Sequence, residues 1–295
     1  MASEDGWLGA AAFQPPTKRR RKSRRLESRR SRSRAMRGFT RWVFLLFLTW
    51  AGLTLTALAA EEDALLALWK QHTTTPDDHE AVVKACQAFA TAHAADPLVP
   101  MVRGLEAWHR LRAGRRGEAL QIFAADLTAP AGPVTDGARR VAQGWMTRGD
   151  RDQAAAALQA YYRKKVGYPK TLDQLPLEGR PPLNDRFGKP WNYKLTGFGK
   201  VPGFLDQKYS LQSAVLGDVS DFKAAMELPY AARLTAVPQQ VLTLPGNTQA
   251  VKFNVAGSAA VVGVGQASGD LFLAFVGAKI IVVCDYTHWK ILPRP

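Results

Sequence analysis

The sequence predicts an α+β protein, on three observations. Apolar residues recur at helical spacing from about 61 to 165, and short apolar runs separated by Gly-rich turns follow one another closely from 237 onward. Between them a helix gives way to turn residues and aromatic strand-like runs. A chain of 295 residues exceeds what one small core needs, so roughly two or three folding units are expected. The composition shifts divide it into a basic extension over 1–35, a signal peptide or anchor over 36–59, a helical region over 61–150, a helix with a small antiparallel sheet over 151–228, and a β-rich region over 237–295.

The net charge of +15 is concentrated at one end. Residues 1–60 hold 13 Lys and Arg against 3 Asp and Glu, which leaves a net +5 for the remaining 235 residues. The run from Lys18 to Arg34 has no aromatic residue and no apolar period, so it reads as a solvated, disordered segment. Phosphate neutralisation would need only such clustered cations. The apolar segment that follows directs the reading away from nucleic acid and towards export.

That segment, Trp42 to Leu58, runs 17 residues without a charge, with Arg37 and Arg41 before it and Glu61, Glu62 and Asp63 after it. Positive before and acidic after orients it with its N-terminus inside. Ala57 and Ala59 are the small residues a signal peptidase reads, so cleavage is expected after Ala59. Counted from Met36 the segment has the length of an ordinary signal peptide, which makes Met36 the expected translation start and 1–35 an upstream extension. Retained as an anchor, it would span roughly 25 Å at about 1.5 Å per residue, slightly under a bilayer core. Either way the rest of the chain is expected outside the cytoplasm, in the periplasm or anchored in the inner membrane facing it. An oxidising compartment would permit Cys86 and Cys284 to pair, but one lies on a helical pattern and the other in a strand-like run. Two buried free thiols are the expectation.

Val83, Cys86, Phe89, Ala90 and His93 mark the face of one helix, which Asp96-Pro97 ends. Val99, Val102, Leu105, Ala107, Trp108 and Leu111 mark the next, and after Ala113-Gly114-Arg115 a third begins at Gly117. Past the loop at Pro130, Gly132 and Pro133 come a helix from Asp136 through Trp145 and, beyond Gly149-Asp150, another from Gln153 to about Lys165. Over about 80–126, Gly104, Ala107, Trp108, Ala119, Leu120 and Phe123 resemble tetratricopeptide repeats. That resemblance implies stacked helix pairs presenting surfaces to protein partners.

From Gln153 to Asp221 the chain carries three strings in order: LQAYYRKKVGYPKTLDQLP, NDRFGKPWNYKL and KYSLQSAVLGD. They resemble the C-terminal domain of type II secretion major pseudopilins. There, paired tyrosines (Tyr161, Tyr162) lead into a Gly-Tyr-Pro turn (Gly167, Tyr168, Pro169) and an Asp-x-x-Gly-x-Pro-aromatic turn (Asp185, Gly188, Pro190, Trp191, Tyr193). Strands then close on Tyr209, Leu211 and Ser213. The resemblance implies a structural role for these residues and partners among envelope or secretion-system proteins. It also implies a calcium loop just after the serine, where Asp218 and Asp221 fall; the family's acidic continuation is replaced here by Phe222-Lys223-Ala224-Ala225-Met226, and calcium prefers six to eight oxygens. Arg37-Gly38-Phe39-Thr40 resembles the pseudopilin leader. Val43 stands where that family has Glu, and roughly 100 residues part the apolar segment from the tyrosine pair, which argues against a filament subunit.

Val241–Leu244, Val251–Val255, Ala259–Val264, Leu271–Val276 and Lys279–Val283 read as short strands of an antiparallel sheet or small barrel. Cys284, Asp285 and His288 are close in sequence, but one Cys and one His supply no zinc spacing, and a strand-end cluster is expected. Without a Walker, dinucleotide or Gly-x-Ser-x-Gly motif, no enzyme, cofactor or small-molecule substrate is expected. The reading is a non-catalytic exported envelope protein acting through protein–protein interaction. The alternatives are a divergent pseudopilin filament subunit using the Gly38-Phe39 leader, and a periplasmic hydrolase dependent on His288.

Overall fold

The structure, a computed structural model, describes residues 61–178, 180–196 and 207–295. The basic extension, the apolar segment and the cleavage positions Ala57 and Ala59 lie outside the described residues. Within them the fold is α+β.

Helix α1 covers 61–74, and its Leu65, Leu68 and His72 form a buried stripe at spacings of three and four. Asp78 caps α2 (His79–Ala92) by accepting the Ala81 amide at 3.2 Å. The Asp96 carboxylate accepts the Leu98 amide at 2.7 Å as the chain turns into α3 (Val99–Arg112), which is buried along most of its length. Gly114 takes φ 77° after α3, the left-handed conformation that favours glycine, before α4 (Arg116–Leu127).

Helix α5 spans Pro133–Lys165 as one element of 33 residues, which corrects the expected break at Gly149-Asp150. A helix-interior glycine costs about 1 kcal/mol relative to alanine. Tertiary contacts outweigh that here: Gly149 and Asp150 are buried, and Arg186 Nε and Nη2 donate to the Asp150 carboxylate at 2.6 and 2.9 Å. After α5 come β1 (Asn192–Thr196) and β2 (Lys208–Gln212), an antiparallel pair, and then the short α6 (Phe222–Glu227).

The C-terminal strands make two antiparallel sheets where one sheet or a small barrel was expected. One holds β3 (Val237–Leu244), β4 (Thr248–Val255) and β5 (Ser258–Gly263); the other holds β6 (Gln266–Ser268), β7 (Leu271–Val276), β8 (Ile280–Cys284) and β9 (Trp289–Pro293). Residues alternate across β8, so Ile280, Val282 and Cys284 enter the core formed with the helices, while Ile281 and Val283 face Val251, Phe253 and Val262 of the other sheet. A register shift between Leu273 and Phe275 changes the alternation along β7. The central strands β7 and β8 are thus covered on both faces, which is why they read as unbroken apolar runs.

Three glycines let the helices lie close on this sheet. A Cβ at Gly104 would come within 2.6 Å of Trp289 Nε1, one at Gly137 within 2.7 Å of the Trp289 ring, and one at Gly144 would meet the Tyr286 carbonyl oxygen. At the opposite end of the strands, both Glu62 carboxylate oxygens accept backbone amides of the β7–β8 turn, from Ala278 and Lys279, each at 2.8 Å. The helical and β-rich regions therefore share one core.

Candidate functional site

The three strings between Gln153 and Asp221 converge on the C-terminal half of α5. Ala154 and Leu158 pack there with Leu172, Leu175, Trp191 and Leu211 in a small separate core. Around it the tyrosines gather: ring centroids are 4.7 Å apart for Tyr162 and Tyr168, 4.7 Å for Tyr168 and Tyr209, and 6.1 Å for Tyr193 and Tyr209. The Tyr193 hydroxyl donates to the Pro169 carbonyl at 2.7 Å, and Trp191 Nε1 donates to the Pro182 carbonyl at 2.9 Å. Following Gly167, the Tyr168 amide donates to Gln207 Oε1 at 2.6 Å.

Asp185 organises the turn. Its Oδ1 accepts the Phe187 and Lys189 amides at 3.0 and 2.9 Å, while Gly188 at φ 75° closes the loop and Pro190 bridges back to Asn184. Ser213 Oγ donates to Asp185 Oδ2 at 2.6 Å and accepts the Val215 and Leu216 amides at 3.1 and 3.2 Å. Two residues 28 apart in sequence are thereby joined in a buried network whose bonds are all partnered.

Asp218 and Asp221 are engaged with cations of this chain. Asp221 Oδ1 caps α6 through the Ala224 amide at 2.9 Å and Oδ2 receives Arg151 at 2.6 Å. Those bonds, the Ala224 amide foremost, hold the Asp221 carboxyl below its ordinary value. Asp218 reaches Arg233 at 3.3 Å. Among the described residues no group of three or more His, Cys, Asp or Glu side chains is disposed to hold a metal ion.

A second cluster was not visible in the sequence, where the histidines look scattered. His109 uses both ring nitrogens: Nε2 lies 2.9 Å from His72 Nδ1 and Nδ1 lies 3.1 Å from His79 Nδ1. A neutral ring has one donor and one acceptor, so the three imidazoles form a directional chain from half-buried His79 to buried His72. Trp69, Trp108, Tyr230 and His288 pack around its inner end, with Tyr230 4.4 Å from His72 and 4.5 Å from His288 between ring centroids. Burial pushes His72 down to about 4 and His109 and His288 to about 3; the His72 and His79 rings add to the effect at His109, and Arg148 adds to it at His288. The local signal available in the sequence was His72 at the next stripe position after Leu65 and Leu68.

Cys284, Asp285 and His288 do not converge as a catalytic set. Asp285 Oδ1 accepts the Thr287 and His288 amides at 2.6 and 2.7 Å, which shapes the β8–β9 turn. Burial raises the Asp285 carboxyl and both thiols, Cys86 and Cys284, which are free and buried. Arg148, fully buried on α5, holds the same turn: it donates to the Tyr286 carbonyl at 3.1 Å and to Thr287 Oγ1 at 2.8 Å, and reaches the Val219 carbonyl at 2.8 Å.

The described residues thus form a helical layer on a two-sheet sandwich, with a helix-and-hairpin lobe extending from α5. Comparison of the chain with protein-family models, with curated proteins and with solved structures found no match.

Proposed function

We propose that this chain is a non-catalytic exported envelope protein that works through protein–protein contacts, with a pseudopilin-like lobe over 151–228 serving a secretion or pilus-like assembly. The observation that supports the reading is the Asp185–Ser213 contact, through which the Asp-x-x-Gly-x-Pro turn and the serine-ending strand close on one another beside the clustered tyrosines. These residues hold a lobe in shape, as befits a module that is recognised by its surface. The tetratricopeptide-like helices would act as its scaffold and as a second contact surface. Export rests on the uncharged Trp42 to Leu58 segment and its asymmetric flanks.

Intact mass and N-terminal sequencing of the protein from its native cell fractions test this. A chain beginning at Ala60 in the periplasm, or an uncleaved chain in the inner membrane, is expected. Recovery from the cytosol would overturn the reading. An N-terminus at Phe39 carrying a methyl group would replace it with the filament-subunit alternative.

A further inference from the structure

We propose that this chain associates with a second copy of itself through the C-terminal half of α5, in a two-fold arrangement that seats Leu177 of each copy in the α5 groove of the other. The groove has a volume of about 710 Å³, with Ala156, Ala157 and Ala160 as its floor, Tyr161 and Pro176 as walls, and Lys164 and Lys165 at one end. Its small side chains leave space for an incoming apolar group. Leu177 is 83% exposed and stands between Pro176 and Glu178, both of which line the groove. A large apolar knob therefore sits on the rim of an apolar hole. Beyond Lys165 at the end of the helix, Val166 is 68% exposed.

A knob beside a hole is self-complementary under a two-fold rotation, because the operation that places one copy's knob in the other's hole also does the reverse. A heterologous partner would need a hole for Leu177 and, separately, a knob for the groove. The second copy supplies both at the required spacing. Charge points the same way. Glu178 accompanies Leu177, and the hole it would approach carries Lys164 and Lys165 against a single Glu178 of its own, so the incoming carboxylate meets an excess of positive charge in each half of the symmetric contact. The two native cysteines are buried and take no part.

The experiment uses the full chain, made once with natural nitrogen and once with heavy nitrogen, mixed, and treated with a carbodiimide. That reagent activates a carboxylate, an amine in contact attacks it to form an amide, and the carbodiimide leaves as a urea carrying the elements of water, so no spacer is added and only groups already in contact are joined. The expected result is a two-copy mass by sedimentation and a Glu178 to Lys164 or Lys165 amide linking a light peptide to a heavy one. Leu177→Asp should remove the mixed crosslink and weaken association about a hundredfold or more, as loss of a central apolar anchor from each half of a symmetric contact does. Since Leu177 is exposed, the urea midpoint should match that of the unaltered chain when both are measured diluted to single copies, where association no longer adds to stability. A one-copy mass, crosslinks only within light or within heavy chains, or a two-copy species indifferent to Leu177→Asp would overturn the proposal. Capture of a helix of another protein in the groove, with no self-association, would overturn it equally.

Discussion

Acid should unfold this protein earlier than its carboxylates alone would. In the unfolded chain each imidazole takes a proton near pH 6.5, whereas the folded state holds His72 neutral down to about pH 4 and His109 and His288 down to about 3. Between those limits the unfolded state binds more protons, so stability falls as pH falls. The contribution is fully present above pH 6.5 and is lost progressively below it. At pH 5 the linkage relation gives a loss of about 2 kcal/mol for each histidine, or about 6 kcal/mol for the three. Asp126 opposes this. Burial lifts its carboxyl from 3.8 to about 7, against a weaker opposing pull from Arg103, so the folded state takes up a proton first and regains about 2 kcal/mol between pH 7 and 5. Asp285, also raised by burial, acts in the same sense as Asp126. Set against Asp126 alone, the imidazoles leave a loss of the order of 4 kcal/mol, which Asp285 reduces, out of the roughly 5–15 kcal/mol that holds a typical domain folded.

The assay is urea unfolding at pH 7, 6 and 5, followed by tryptophan fluorescence, since Trp108 and Trp145 lie 6.1 and 6.4 Å from the His288 ring. His109→Gln keeps a neutral hydrogen-bonding side chain that cannot titrate. It should lower stability at pH 7 yet flatten the decline from pH 7 to 5 by about 2 kcal/mol. A wild-type midpoint that does not move between pH 7 and 5, or a variant with the wild-type slope, would refute the argument that these rings are held neutral by burial.

Three further outcomes follow from the geometry. Gly144→Ala drives a methyl group into the Tyr286 carbonyl, a backbone atom that cannot rotate away, and should cost about 3 kcal/mol in urea unfolding. Ser213→Ala deprives two amides and the Asp185 carboxylate of their shared partner and should cost about 2–3 kcal/mol; in a double-mutant cycle with Asp185→Asn the two effects should be less than additive. Val166→Gly should raise stability by about 1 kcal/mol, because a β-branched residue is held there at φ 57° with its side chain largely in solvent, and a lower thermal midpoint would contradict this.

What the sequence disclosed was what local chemistry decides. The stripes of α2 and α3, the glycine after α3, the Asp185 to Trp191 turn and the apolar runs of β4, β7 and β8 each carry their signal within a few residues. What escaped depended on distant partners. Gly149-Asp150 looks like a helix end because the guanidinium that neutralises Asp150 lies 36 residues away, on Arg186. β6 is short, exposed and without apolar alternation, and β9 ends on a proline, so neither resembles a strand until β7 and β8 pair with them. The histidine chain draws on three helices at separations of 30 and 37 residues, and no spacing rule would have joined them.

The continuity of α5 also decides how the lobe is carried. Its N-terminal half contributes Val134, Ala138, Val141, Ala142 and Trp145 to the core shared with the sheet, and its C-terminal half contributes Ala154 and Leu158 to the core of the lobe. Between the halves, successive residues reach in different directions. Thr147 Oγ1 accepts the Arg186 amide at 3.2 Å, Arg148 holds the β8–β9 turn and Val219, Asp150 binds Arg186, and Arg151 donates to the Leu211 carbonyl at 2.9 Å and to Asp221 at 2.6 Å. A little over one helical turn thus ties the lobe's loop, its second strand and its final turn to the same rigid rod that lies on the sheet. A lobe on a flexible linker would lose orientational freedom on every encounter with a partner. This one is already fixed, so the groove and Leu177 are presented at a constant angle to the body of the protein, and the histidine cluster and the lobe should lose structure together in acid.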